Sequence, residues 1–217
     1  MNILYIFAHP EPKSFNSYMK EIAVKELEEK GNKVRHSDLY TMDFKPVLDK
    51  NDFVQRKKTD SFNPFIEQIA ASKEGTFSDD IMAEMEKVKW ADVLIFQFPI
   101  YFTAMPAIMK GWLDRVFAAG FAFSPIKDRV YENGLLKGKK ALMVISTGAE
   151  EELYSIGGKH GDIRELLRYI NHCTFEYVGM EVIDNHMIFG AGKMSAEKVD
   201  EELNKYLEKL NLLFQDS

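Results

Sequence analysis

Residues 93 to 98 read Val93-Leu94-Ile95-Phe96-Gln97-Phe98, a short apolar run that stops at Pro99. A run of this length, closed by a residue that cannot donate to a ladder, reads as a strand buried on both faces, as in a parallel sheet. Ile3 to Ala8, ending at His9-Pro10, and Ala141 to Ile145, ending at Ser146-Thr147-Gly148-Ala149, have the same character. Lys33 to Leu39 and Val182 to Phe189 supply a second and a fifth strand. Helical patterns lie between them. Met19, Ile22, Ala23 and Leu27 share one face, with Gly31 just past the end as a cap. Ser78 caps a helix to about Lys89, Pro106 opens one to about Phe117, and Asp162 starts another. Val199, Leu203, Tyr206, Leu207, Leu210 and Leu213 form the stripe of the last. Strands alternating with helices specify an α/β fold: a five-stranded parallel sheet with helices on both faces and right-handed crossovers.

The 217 residues suit a single domain with two excursions. Residues 41 to 76 are polar and read as having at most short helical turns, and residues 118 to 138 are rich in Gly, Pro and aromatics. The single cysteine, Cys173, excludes a disulfide framework and a zinc site of several thiolates. A net charge of −6 argues against nucleic acid as a partner, since such binding needs a basic face. No apolar run reaches the roughly 18 residues of a membrane span. The first residues have no basic start and no small-residue cleavage site, so they read as a strand and the cytoplasm is the expected compartment.

In open α/β sheets ligands bind beyond the carboxyl ends of the strands. The unusual residues of this chain lie there. After the first strand, His9-Pro10-Glu11-Pro12 is kept out of helix by its prolines, and Ser14-Phe15-Asn16 opens a helix whose free N–H groups suit an anion, typically phosphate. Ser14, Asn16 and His9 can add hydrogen bonds, although Ser14 reads equally well as a plain N-cap. After the third strand, Pro99, Ile100, Tyr101, Phe102 and Thr103 offer aromatic rings to stack on a flat ligand and backbone N–H groups for its polar edge; ordinary packing is the competing reading. After the fourth strand, Thr147 and Gly148 lead to Tyr154 and His160, which can donate hydrogen bonds to developing negative charge or can simply be surface residues of a Gly-rich loop.

Several motifs are missing. No G-x-G-x-x-G follows the first strand, and no G-x-S-x-G is present. Gly190-Ala191-Gly192-Lys193 is followed by Met194 where a P-loop needs Ser or Thr, so it reads as the turn before the last helix. His172 and Cys173 are neighbours on an expected helix and point about 100° apart, which does not make a metal site.

The ordered set Ala8-His9, Ser14-Phe15-Asn16, Ser37-Asp38-Leu39-Tyr40, Phe96-Gln97-Phe98-Pro99, Lys110-Gly111-Trp112, Arg115-Val116-Phe117, Thr147-Gly148, Tyr154-Ser155 and His160-Gly161-Asp162 resembles the flavodoxin-like NAD(P)H:quinone oxidoreductases. The resemblance covers about residues 1 to 190 and implies a flavodoxin-like fold and a homodimer with one flavin per site, usually FAD, with FMN as the alternative. It implies ping-pong hydride transfer from NAD(P)H to a quinone or similar acceptor. Ser14, Phe15 and Asn16 would hold the pyrophosphate with His9 nearby, residues 99 to 103 would line the flavin ring, and Thr147, Gly148 and Tyr154 would lie along its pyrimidine side. Tyr154 and His160 would be the catalytic pair that stabilises the reduced flavin's charge. Compared with one known member of the family, the chain has Tyr101 and Phe102 in place of Gln and Trp, and Phe123 and Pro125 in place of two tyrosines that cap the partner subunit's site. Relatives of this kind include flavin-bearing subunits of potassium-efflux systems, and azo or nitro compounds are alternative acceptors. An electron carrier like flavodoxin itself is a further alternative.

Overall fold

The computed structural model describes residues 1–57 and 60–214. Its elements in chain order are β1 (Asn2–Phe7), α1 (Phe15–Glu29), β2 (Lys33–Asp38), α2 (Pro64–Glu74), α3 (Asp79–Trp90), β3 (Val93–Pro99), α4 (Ala107–Val116), β4 (Lys140–Ser146), α5 (Ile163–Ile170), β5 (Glu181–Val182), β6 (His186–Ile188) and α6 (Ala196–Phe214). The strand order is β2-β1-β3-β4-β5, all parallel, with β6 also on β4. This is the doubly wound, flavodoxin-like order, and it reverses direction between β1 and β3. Leu4 of β1 stands between Arg35 of β2 and Leu94 of β3.

Alternation along each strand builds two cores. Leu4, Ile6 and Ala8 face one side, with Leu94, Phe96 and Phe98, and pack against α3, α4 and α5. Ile3, Tyr5 and Phe7 face the other, with Ile95 and Val144, against α1 and α6. Buried strands with a cover on both faces leave only the strand ends for chemistry.

Two expectations are corrected. The stretch from 41 to 76 is not limited to short turns, because it contains α2, eleven residues long. Asn63 caps it by accepting from the Ile66 N–H, Pro64 fits the first helical position, and Gly75 ends it at φ +70°. The polar average of the whole stretch hides this short helix. The expected fifth strand, Val182 to Phe189, is two short strands that pair with successive parts of β4. Asp184 and Asn185 interrupt it; both are poor strand formers, and the Asp184 side chain is exposed.

The 41–76 excursion is pinned by a buried ion pair. Arg115 grips Asp52 through two hydrogen bonds, Nη2 to Oδ1 at 2.9 Å and Nε to Oδ2 at 3.2 Å, and both side chains are essentially fully buried. Arg115 also reaches Asp80 at 2.6 Å, and Lys45 reaches Asp52 at 2.8 Å. Removing one member of such a group strands a buried charge, at a cost of about 3–5 kcal/mol. Gly111 in α4 lets the chain pass at Pro46, where a Cβ would run into the Pro46 carbonyl.

His186 lies under α6, stacked on Tyr206 with ring centroids 5.0 Å apart, and its buried Nε2 has no hydrogen-bond partner among the described residues. Burial first, then the Lys209 and Lys205 ammonium groups, hold it at about 4, with Glu202 opposing. The unfolded chain therefore takes a proton near pH 6.5 that the folded chain refuses until about pH 4. Stability from this ring is present above pH 6.5 and falls as the pH drops, by about 2–3 kcal/mol between pH 7 and 4.5. In urea titrations, His186→Phe should shrink the loss of stability between those pH values by that amount. An equal loss in both proteins would sink the assignment.

Candidate functional site

The carboxyl ends of β1, β3 and β4 meet at Ser146. Its hydroxyl bonds both side-chain atoms of Asn16, at 2.9 and 3.1 Å, and its carbonyl accepts from the Ile100 N–H at 3.0 Å. Ser146 also pairs in register with Pro99 and Ile188. One buried residue thus joins the first, third and fourth post-strand loops into a single rim.

In the first loop Ser14 is the N-cap of α1; its Oγ accepts from the Ser17 N–H at 3.1 Å. The Tyr18 N–H bonds the Ser14 carbonyl. The N–H groups of Phe15 and Asn16 then have no acceptor among the described residues. Two free donors at the positive end of a fifteen-residue helix suit an anion. The Asn16 side chain does not face this turn as expected: it is buried and points to Ser146. His9 is half-buried, with Nδ1 between the Glu11 N–H at 3.0 Å and carbonyl at 3.1 Å, so it braces the loop.

The third loop is a tight turn. Tyr101 and Ala104 exchange two backbone hydrogen bonds of 3.0 Å, and the central residues, Phe102 and Thr103, have φ of +50° and +58°. Positive φ at both positions is the type I′ pattern that favours Asn-Gly. Here a bulky and a β-branched residue are held in it, which stores strain. The Phe102 ring is wholly exposed and Tyr101 largely so. The strain presents an aromatic ring to solvent at the rim.

In the fourth loop Thr147 is buried and its hydroxyl donates to the Ala149 carbonyl at 2.5 Å. Gly148 is exposed, nothing stands within 4 Å of a Cβ built on it, and its N–H and that of Ala149 are free among the described residues. Tyr154 and His160 come together as rings, with centroids 5.0 Å apart and planes tilted by 41°, and not through a hydrogen bond. The loop closes through the His160 N–H on the Leu153 carbonyl, 2.8 Å. Gly158 makes that closure possible, because a Cβ there would run into the carbonyls of Glu152 and Leu153. Phe189 backs Tyr154 at 6.3 Å.

The rim therefore presents free N–H donors from two loops, exposed aromatic rings from a third, and a Tyr–His pair. That set fits a flat ring carrying an anionic tail. Sequence reading missed Ser146 and Gln97. The one available signal was a polar residue inside or just closing an otherwise apolar strand. Two clefts lie elsewhere. One, of about 670 Å³, is lined by Tyr131, Glu132, His172 and Glu176; the other, of about 550 Å³, by Phe65, Leu113, Phe117, Phe123, Tyr169 and Tyr177 among others. His172 and Cys173 lie on a π-helical stretch, and His172 pairs with Glu176 at 2.6 Å. Among the described residues no group of three or more His, Cys, Asp or Glu is placed to hold a metal, and no helix is long and apolar enough to cross a membrane.

Comparison with known proteins agrees with this geometry. The model of the flavodoxin-like fold family matches residues 1–210. The chain is 39% identical to ribosyldihydronicotinamide dehydrogenase [quinone] of Rattus norvegicus, over 99% of this chain and 92% of that protein. It is 37% identical to NAD(P)H dehydrogenase [quinone] 1 of the same species, over 99% of this chain and 78% of that one. A Klebsiella pneumoniae crystal structure assigned as a quinone reductase superposes with a TM-score of 0.93 at 38% identity, covering 99% and 85% of the two chains. General stress protein 14 of Treponema denticola, solved with FMN, shares the fold at a TM-score of 0.69 and 21% identity, over 98% and 99%.

The turn at Phe102-Thr103 is testable on its own. Replacing it by Asn-Gly relieves left-handed strain of roughly 1–2 kcal/mol per residue, partly offset by the added chain entropy of Gly. The doubly substituted protein should melt about 2–4 °C higher in calorimetry. An unchanged or lower melting temperature would show that the turn is unstrained.

Proposed function

This chain belongs to the flavodoxin-like fold family, and we propose that within it the protein is a flavin-dependent NAD(P)H:quinone oxidoreductase acting as a homodimer. The observation that carries the reading is the rim knotted at Ser146, with free N–H groups at Phe15, Asn16, Gly148 and Ala149 and rings at Tyr101, Phe102 and Tyr154.

A flavin held at this rim would supply the two-electron redox chemistry between a dihydronicotinamide and a quinone. The residues do the rest. The Phe15 and Asn16 N–H groups at the start of α1 hold the phosphate end, with Ser14 and His9 shaping the turn. Pro99 to Thr103 border the ring, and the exposed rings of Tyr101 and Phe102 cover substrates as they dock. Gly148 lets its backbone come close to the pyrimidine edge, and its N–H donates there. The Tyr154 hydroxyl donates to the negative charge that develops at that edge, and His160 fixes the Tyr154 ring by lying against it. Donor and acceptor use the same open place over the ring in turn, which is a ping-pong sequence.

The flavin is taken to be FAD, with FMN as the alternative. The donor is taken to be NAD(P)H, and the rat relatives, named for two different dihydronicotinamide donors, make that choice a direct question. The second copy is expected to cover the rim. The excursion from 118 to 138 is a weaker motive for dimerisation than its composition suggested, since Ala118, Ala119, Ala122 and Leu136 are buried in their own chain. The apolar cleft beside Phe123 supports it better. The proposal places one unit spanning residues 1 to 217 in the cytoplasm.

One preparation tests the assignment. The purified protein should be yellow, release FAD on heating, sediment as a dimer at micromolar concentration, and lose its colour when mixed with NADH or NADPH without oxygen. A lone FMN peak corrects the cofactor, and bleaching by dihydronicotinamide riboside alone corrects the donor. A colourless protein that takes up no flavin, or a fully active monomer, would overturn the flavin or the dimer respectively.

The charge stabilisers give a second expectation. A positioned donor of this kind is worth up to roughly 10²–10³ in rate where the charge is well buried. Tyr154→Phe keeps the ring and removes the donor, so flavin reduction should slow by about tenfold or more in stopped flow, the open loop admitting water as a partial substitute. His160→Ala should act in the same direction and add little to Tyr154→Phe, because it acts through the Tyr154 ring. Reduction within twofold of wild type for both variants would assign the pair to loop packing alone.

A further inference from the structure

Gln97 is a fully buried amide in the middle of β3, between β1 and β4. An amide there is costly unless its donor and acceptor are used. Its Nε2 donates to the Asn16 carbonyl at 2.8 Å, and its Oε1 accepts from the Tyr5 hydroxyl at 2.5 Å. The Tyr5 hydroxyl lies 3.0 Å from that of Tyr206 on α6, and both tyrosines are completely buried. The chain of bonds thus runs from the last helix, through the sheet, to the second residue of α1. There it stops at a backbone carbonyl one peptide away from the free Asn16 N–H and two from the free Phe15 N–H. The Asn16 side chain is held separately by Ser146. Asn16 is therefore clamped at both its main chain and its side chain, by groups that come from two other strands.

Shape alone does not require this arrangement. A leucine at 97 would fill the same space in an apolar strand, as Ile95 does two residues earlier on the same face. The polar chain also forces a partner requirement on α6, because a tyrosine hydroxyl at 5 buried without Tyr206 would lose a hydrogen bond.

We infer that Gln97, backed by Tyr5 and Tyr206, is a positioning residue for the first turn of α1, so that the docking of α6 sets how well that turn holds a phosphate group. The inference rests on the flavin reading for the identity of the phosphate, but not for the mechanical link.

Two measurements separate these. Hydrogen exchange on the full chain reads the link: residues 14 to 18 should exchange faster in Gln97→Leu, and in Tyr206→Phe, which keeps the ring over His186 and loses only the hydroxyl. Titration of protein stripped of its flavin reads the role. Gln97→Leu should bind FAD and FMN about two- to tenfold more weakly, the worth of one net hydrogen bond, while riboflavin, which has no phosphate, binds as to wild type. Tyr206→Phe should move the same way by less. If Gln97→Leu does not fold, Tyr206→Phe carries both readouts. Unchanged exchange at residues 14 to 18 overturns the inference even if flavin binds tightly. Riboflavin affinity falling as far as FAD affinity also overturns it, since a general packing defect would do that. Faster exchange in the variants of a protein that takes up no flavin supports the link and sinks the cofactor reading instead.

Discussion

Everything functional in this molecule depends on satisfying a buried hydroxyl and a buried amide at the ends and middle of a sheet. Ser146 and Gln97 sit among apolar strands covered on both faces, where an unpaired polar group costs about 1–3 kcal/mol. Their partners can only come from neighbouring strands and from the loop that follows β1. Meeting that demand fixes Asn16, which answers both groups, while the Ser146 main chain brings Ile100 and Ile188 to the same place. The loops would otherwise be free to diverge, because none of them packs a large apolar surface of its own.

The same economy governs the long excursion. Glu84 is fully buried and is answered by the Trp112 indole N–H at 2.7 Å, the Ser37 hydroxyl at 2.5 Å and Lys87 at 2.6 Å. Asp52 is answered by Arg115 and Lys45. The Glu84 group ties α3, α4 and β2 together, and the Asp52 group ties the segment after β2 to α4 at Lys45 and Asp52. The rim is exposed at Tyr101, Phe102 and Gly148, and buried at its roots, Asn16 and Ser146.

Rigidity at the roots and strain at the tip are complementary. The Phe102-Thr103 turn keeps its unfavourable backbone because Ile100 is tied to Ser146 on one side and α4 begins soon after on the other. Tyr154 and His160 are positioned in the same way, by the closure at Leu153 and the close approach at Gly158, which leave the two rings no choice but to meet. In both loops backbone constraints fix side chains that have few contacts.

The sequence by itself determined the α/β class, the helices α1, α3, α4, α5 and α6, the first four strands and the three loops that meet at the rim, because period and punctuation are local properties of the chain. The helix inside residues 41 to 76 was legible in its cap and its closing glycine, but its short apolar pattern is diluted by polar neighbours. The division of the last strand was hidden, since an edge strand can break wherever its single neighbour allows. Only the tertiary structure decided which way the rim side chains point. The Asn16 side chain was expected to add a hydrogen bond at the first turn of its helix; it is buried against Ser146, while the backbone N–H groups of Phe15 and Asn16 are left free among the described residues. Local sequence states that a side chain can hydrogen-bond; the strands that surround it decide whether its partner is the protein or the ligand. Ser146 and Gln97 matter for the same reason, and their partners lie 81 and 130 residues away along the chain.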